Sequence, residues 1–232
     1  MRAEGAAVAA LAAWCAPAAA PVVPRVARLI GVPTRLERPH GIALTFDDGP
    51  HDEGTPAVLE QLARAGAKAT FFLVGEQVER LPALAAEIAA AGHTVGIHGY
   101  RHTLLLRRAP ASLRDDFARA EDVIGSAVGS TPTLYRPPYG VFSLPALRLV
   151  RQLGWSPWLW SRWGRDWDRG ATAESIAARA TRGLSGGDVV LLHDADHYSA
   201  QGSWRKTAAA VPSVLAAASQ AGESLVSLNQ WR

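Results

Sequence analysis

The chain has 232 residues, 48% of them hydrophobic and 19% charged, which is enough for one sizeable core and too apolar for a disordered segment. Its formal charge of +3 comes mostly from scattered arginines with no run of five like charges. That argues against nucleic acid as a partner and leaves neutral sugars open. A lone cysteine, Cys15, excludes a disulfide framework and a cysteine zinc site.

The first element in chain order is the apolar, Ala-rich run from Gly5 to Val23. It follows Arg2 and contains small-residue stretches suited to signal cleavage, so export or membrane anchoring is expected. Glu4 weakens the positive n-region, Pro17 and Pro21 count against a spanning helix, and Arg25, Arg28, Arg35 and Arg38 after it count against export of what lies downstream. The alternative is an apolar helix packed on the domain. Because Ala and Pro offer few large groups to bury, the run is expected to be dispensable for folding of the rest.

From residue 40 onward the pattern alternates. Short β-prone runs fall at 42–46, 69–74, 94–98, 133–136, 156–160, 189–193 and 224–228. Between them lie stretches with helical spacing at 55–65, 82–91, 111–128, 144–153, 173–183 and 204–221. Gly66, Gly92, Gly154 and Gly222 sit where helices should stop, and Thr172 offers an N-cap. Alternating strands and helices imply a parallel sheet, either open and doubly wound or a barrel one strand short of eight. A lead-in over 1–38 and one domain over 39–232 are expected.

Five motifs end these strands, on the edge where parallel α/β folds build active sites. "TFDDGP" places Asp47 and Asp48 after the first strand; a turn needs one Asp, but two adjacent carboxylates repel unless a cation or proton intervenes. "HGYRH" places His98 and His102 after the third, spaced to face one way on a helical turn. With a carboxylate on the same edge they make a three-ligand set of the kind found in catalytic zinc sites. "YRPPYG" adds the cation Arg136 in a stiff loop. "WGRDWD" adds Asp166 and Trp167 in a region crowded with tryptophans suited to stacking on a sugar ring. "VVLLHD" adds His193, a candidate general acid or base. Each alone has a plain structural explanation; chance would scatter them rather than gather all five on one edge.

In this order the motifs resemble those of polysaccharide deacetylases, carbohydrate esterase family four, over roughly residues 40 to 230. The resemblance implies an α/β fold, a distorted, incomplete (β/α) barrel of about seven parallel strands. It implies a hydrolase that removes N-acetyl, or O-acetyl, groups from an amino-sugar polymer or oligomer and releases acetate. Asp48, His98 and His102 would hold one divalent metal ion, most simply zinc. Asp47 would be the base, Arg136 its partner, His193 the acid and Asp166 its orienting group. Pro137, Tyr139, Trp167 and Leu191 would meet the substrate, with the Tyr139 backbone N–H aimed at the oxyanion. One departure is Gly99, where the family usually carries a small hydroxyl residue that could support a metal ligand. The implied partner is an acetylated carbohydrate met by a monomer, extracytoplasmic or membrane-associated, with the membrane reached only through the N-terminal run. A metal hydrolase of a small amide and a sugar-binding domain without turnover are the rival readings. The retained Asp47 and His193 argue against the latter. Asp196 and His197, beyond the last motif, receive no role.

Overall fold

The segment "ALTFD" forms β1 (Ala43–Asp47), buried along its whole length, as expected of a strand covered on both faces. The computed structural model describes residues 11–228. β1 pairs in parallel with β2 (Thr70–Leu73) on one side and β7 (Val189–His193) on the other. Beyond them lie β3 (Thr94–Ile97), β4 (Leu134–Tyr135), β5 (Ser156–Pro157) and β6 (Arg162–Trp163). The order is β5-β4-β3-β2-β1-β7-β6, every pair parallel, so the sheet curls into a half-barrel whose free edges are β5 and β6.

Helices cover the sheet: α1 (Pro24–Leu29), α2 (Gly54–Arg64), α3 (Gly75–Arg80), α4 (Pro82–Ala90), α5 (Pro110–Val128), α6 (Leu144–Gln152), α7 (Ala173–Thr181) and α8 (Ser203–Gln220). Thr172 caps α7 in a reciprocal box with Ser175. Gly66 turns the chain out of α2 at φ 59°, a conformation open to glycine without a Cβ penalty. The core is Val, Leu, Ile and Phe from β1, β2 and β7 against the inner faces of these helices.

Three sequence expectations differ from the structure. Residues 224–228 make only a single bridge, Leu225 to Ile42, and the seventh strand is instead β6, two residues long. Helices α1 and α3, six residues each, were not anticipated because so short an element shows no period. The third difference concerns the N-terminal run. Its residues 5–10 lie outside the described residues; in the rest of the run Pro17 and Ala20 are buried while Leu11 and Val22 are exposed, and beyond it Ala27, Val32 and Leu36 are buried. Trp14 Nε1 donates to the Leu106 carbonyl at 3.2 Å. Leu159 N–H donates to the Pro33 carbonyl and Leu36 N–H to that of Gly187, so the lead-in lies across the open seam between β5 and β6. Deleting residues 1–34 should therefore lower the Tm by roughly 5–10 °C, read by thermal unfolding; an unchanged Tm would restore the expectation of dispensability. None of the described helices is long and apolar enough to cross a membrane.

Candidate active site

The half-barrel brings the strand ends to one cavity of about 490 Å³, walled by Asp47, Asp48, His98, His102, Tyr139, Trp167, Leu191 and His193 among others. At its floor β1 ends in Asp47, and Asp48 follows at φ 78°, turning its carboxylate away from that of its neighbour. His98 follows β3. The chain does not then make the helical turn the spacing suggested: Gly99, at φ 88°, reverses it, and His102 returns from an irregular loop. A Cβ on Gly99 would stand 3.1 Å from the Arg101 carbonyl, so this turn suits glycine at the cost of a hydroxyl there.

Asp48 Oδ1 lies 3.4 Å from His98 Nε2 and 3.3 Å from His102 Nε2. His98 Nδ1 is bonded to the Arg136 carbonyl at 2.8 Å; the carbonyl can only accept, so Nδ1 carries the hydrogen and Nε2 is the atom turned toward the carboxylate. Burial pulls His102 down to about 4 against the raising effect of Asp48, so that ring is neutral. Burial pushes Asp48 up, but His98, His193 and His102 together hold it well below the usual carboxylate range. Asp48 Oδ1 is buried with no hydrogen-bond partner among the described residues. Facing acceptors without a proton between them call for a cation. Their spacing also matches the edge of about 3.4 Å of a tetrahedron with bonds of ~2.0–2.1 Å. The donor set fits a divalent metal ion.

Asp47 takes no part in that triangle; its nearer approach is 3.8 Å from His98 Nε2. Its Oδ1 accepts from Arg136 Nη1 at 2.7 Å. Arg136 is fully buried and donates also to Thr45 Oγ1 at 2.7 Å and the Leu159 carbonyl at 3.0 Å, with its guanidinium 4.1 Å over the Phe72 ring. This clamp fixes one carboxylate oxygen and leaves the other for the cavity.

Across the cavity His193 donates Nδ1–H to Asp166 Oδ1 at 3.0 Å, which turns its Nε2 inward. Asp166 is itself held at Oδ2 by the His193 N–H and by Thr207 Oγ1 at 2.8 Å. Burial lowers the His193 pKa, but Asp166 through charge and hydrogen bond, then Asp48 and Asp47, push it up to about 10. An acid is competent only while protonated, so activity should fall as pH rises through the His193 pKa. Asp166→Asn removes the largest raising contribution, and the alkaline limb of the pH–kcat profile should move to lower pH. A limb that stays put would separate it from His193.

The structure gathers ten of the eleven anticipated residues in or directly behind the wall, Arg136 and Asp166 supporting Asp47 and His193. Pro137 is the exception in kind: it is buried, and its carbonyl accepts from Gly140 N–H within the turn. It shapes the Tyr139 turn, where φ is 59°, rather than lining the cavity. Trp160 and Trp163, from the tryptophan-rich segment suited to stacking, line it as well, and Tyr198 and Ser199 line it unanticipated.

Residues 36–158 match the family model described as polysaccharide deacetylase. The chain belongs to the polysaccharide deacetylase family. Among curated relatives, a peptidoglycan-N-acetylglucosamine deacetylase of Bacillus cereus is 35% identical over 70% of this chain. The match spans 58% of that longer protein. A chitooligosaccharide deacetylase of Azorhizobium caulinodans is 33% identical over 66% of this chain and 73% of its own. Among solved structures, a peptidoglycan N-acetylglucosamine deacetylase in complex with 4-naphthalen-1-yl-N-oxidanyl-benzamide superposes with a TM-score of 0.77 at 30% identity. It covers 82% of this chain and 87% of its own.

Next to the family motifs the chain carries a second cluster, His51, Asp196 and His197. Here the hydrogen bonds speak against a metal. His51 Nδ1 accepts from the N–H groups of Glu53 and Gly54 at 3.1 and 3.0 Å, so its Nε2 carries the proton and faces Asp196 Oδ1 at 3.1 Å. Asp196 Oδ2 accepts from Gly202 N–H, and His197 Nε2 lies 3.3 Å from the Pro50 carbonyl. The cluster anchors the β7–α8 loop to the turn after β1.

Proposed function

We propose that the chain is a metal-dependent hydrolase that removes N-acetyl groups from an N-acetylglucosamine-containing glycan of the cell-wall type and releases acetate. The observation that carries this reading is the acceptor-only triangle of Asp48, His98 and His102, set between a clamped carboxylate and a His–Asp pair. Zinc suits two imidazoles and one carboxylate best. A divalent ion held there supplies a Lewis acid for the acetamide carbonyl and brings the pKa of a water toward ~7.

The chain's own groups do the rest. Asp47, one oxygen fixed by Arg136, takes a proton from the attacking water through the other. The Tyr139 backbone N–H donates to the developing oxyanion, a contribution on the order of 3 kcal/mol for one such donor. His193, protonated and held by Asp166, gives its Nε2 proton to the departing amine. Leu191 and Trp167 flank the acetyl methyl, and Trp163 with the exposed Tyr139 offers faces for a pyranose ring. A cavity rimmed by an exposed aromatic suits a sugar within a chain better than an enclosed small amide. Such a substrate places the enzyme outside the cytoplasm.

Acetate release from peptidoglycan fragments, chito-oligomers and an O-acetylated glycan, with and without chelator, tests the reading. Turnover of the N-acetylated glycans that chelator abolishes is expected. No acetate from any of them, or release indifferent to chelator, would refute it.

A further inference from the structure

The two metal-set histidines are held in different ways. His98 is fixed by the bond from its Nδ1 to the Arg136 carbonyl, the usual way a protein sets the tautomer and plane of a ligating imidazole. His102 lacks that support: its Nδ1 is buried and has no hydrogen-bond partner among the described residues. Yet its Nε2 is aimed at Asp48 as closely as that of His98, at 3.3 Å against 3.4 Å. Gly99 offers no side chain that could help.

What touches His102 is aromatic. The Tyr198 ring lies flat against it, centroids 4.1 Å apart and planes within 11°. Tyr139 meets it edge-on at 4.5 Å, but Tyr139 is 56% exposed. Tyr198 is tied down: its hydroxyl donates to Glu76 Oε1 at 2.7 Å and accepts from Gln77 Nε2 at 3.0 Å, both on α3. The chain just before it is tied as well, Asp196 to Gly202 and His51 and His197 to Pro50. Stacked faces can slide but resist tilting, so a tethered ring restricts its partner's plane.

We propose that Tyr198 is the positioning residue for His102: its ring, strapped to α3 by Glu76 and Gln77, holds the imidazole in its metal-binding plane in place of a hydrogen bond at Nδ1. This assigns a purpose to "HDADHYS", the segment beyond the last family motif, in which His197 and Asp196 secure the loop and Tyr198 reaches the site. The proposal rests on the metal-site reading above.

Its test is the affinity of the metal-stripped full chain for Zn²⁺ by calorimetry, and the visible spectrum with Co²⁺ substituted. Tyr198→Ala should weaken Zn²⁺ binding about 10–100-fold, the usual range for losing support behind a ligand. Its Co²⁺ bands should broaden or shift, and kcat should return toward wild type at saturating Zn²⁺. Tyr198→Phe keeps the stack and loses only the strap, so its loss should be smaller, about three- to tenfold. A merely structural role would instead lower the Tm of the metal-free protein and leave the Co²⁺ spectrum of the folded fraction unchanged. Should Tyr198→Ala not fold, Glu76→Gln with Gln77→Ala cuts the strap alone and should reproduce the Phe result. Affinity within twofold of wild type in Tyr198→Ala overturns the proposal; where that variant does not fold, affinity within twofold and an unaltered Co²⁺ spectrum in the strap double variant overturn it. A wild-type protein that binds no metal would overturn the metal-site reading instead, which keeps the two failures apart.

Discussion

Asp47→Asn should lower kcat by about 10²–10⁴-fold and leave the metal content of the protein unchanged. The geometry behind this is specific. Asp47 stands outside the 3.3–3.4 Å triangle and has one oxygen clamped by Arg136, so it is placed to move a proton rather than to bind a cation. Asp48→Asn should do the reverse: it weakens the metal, and excess zinc should restore part of the rate. The split arises at the backbone. Asp47 is the last residue of an extended strand, and Asp48 at φ 78° turns the next side chain to another side. Measuring metal content and kcat for both variants decides it. If Asp47→Asn loses the metal and Asp48→Asn keeps it, the two roles are exchanged.

The second large effect is on stability. Arg136→Ala should cost about 3–5 kcal/mol, since removing one partner of a buried pair strands the other charge. For a chain of this size that corresponds to a Tm lower by roughly 10 °C. The guanidinium is wholly enclosed, bonded to Asp47, Thr45 and the Leu159 carbonyl and lying over Phe72, so its loss leaves a buried hole and three acceptors without their donor. Adding Asp47→Asn to Arg136→Ala should recover part of the loss, because the stranded charge goes with it. Denaturant or thermal unfolding of the single and double variants checks this. A loss below about 1 kcal/mol in Arg136→Ala would mean that Asp47 is not dependent on its clamp.

Much of this was legible in the sequence because the active edge of a parallel fold is written in the chain's order. Each strand that ends in "FDD", "HGYRH", "RPPYG" or "LLHD" announces both its own boundary and its site residue. β7 falls at 189–193 as expected, and β1 is displaced by one residue. What escaped has no local period. β6 is two residues inside a tryptophan-rich segment whose aromatic content points to core and site alike. The turn from His98 to His102 has helical spacing but not helical backbone, because Gly99 takes a left-handed conformation. The N-terminal run looked like an address, and its described part reaches the domain through Pro17, Ala20 and the Trp14 bond to Leu106, contacts that no spacing announces. Tyr198 could not be found by spacing at all: its partners are 121 and 122 residues away, on α3.

The central claim is that Asp48, His98 and His102 hold one divalent ion from which the chemistry of the site follows. Elemental analysis of the purified chain, stripped, reconstituted with Zn²⁺ and freed of excess, tests it most directly. The account predicts close to one equivalent of zinc per chain, bound in the wild type and in Asp47→Asn but not in His98→Ala or His102→Ala. Retention of less than about a tenth of an equivalent by the wild type, or full retention by both histidine variants, would contradict it.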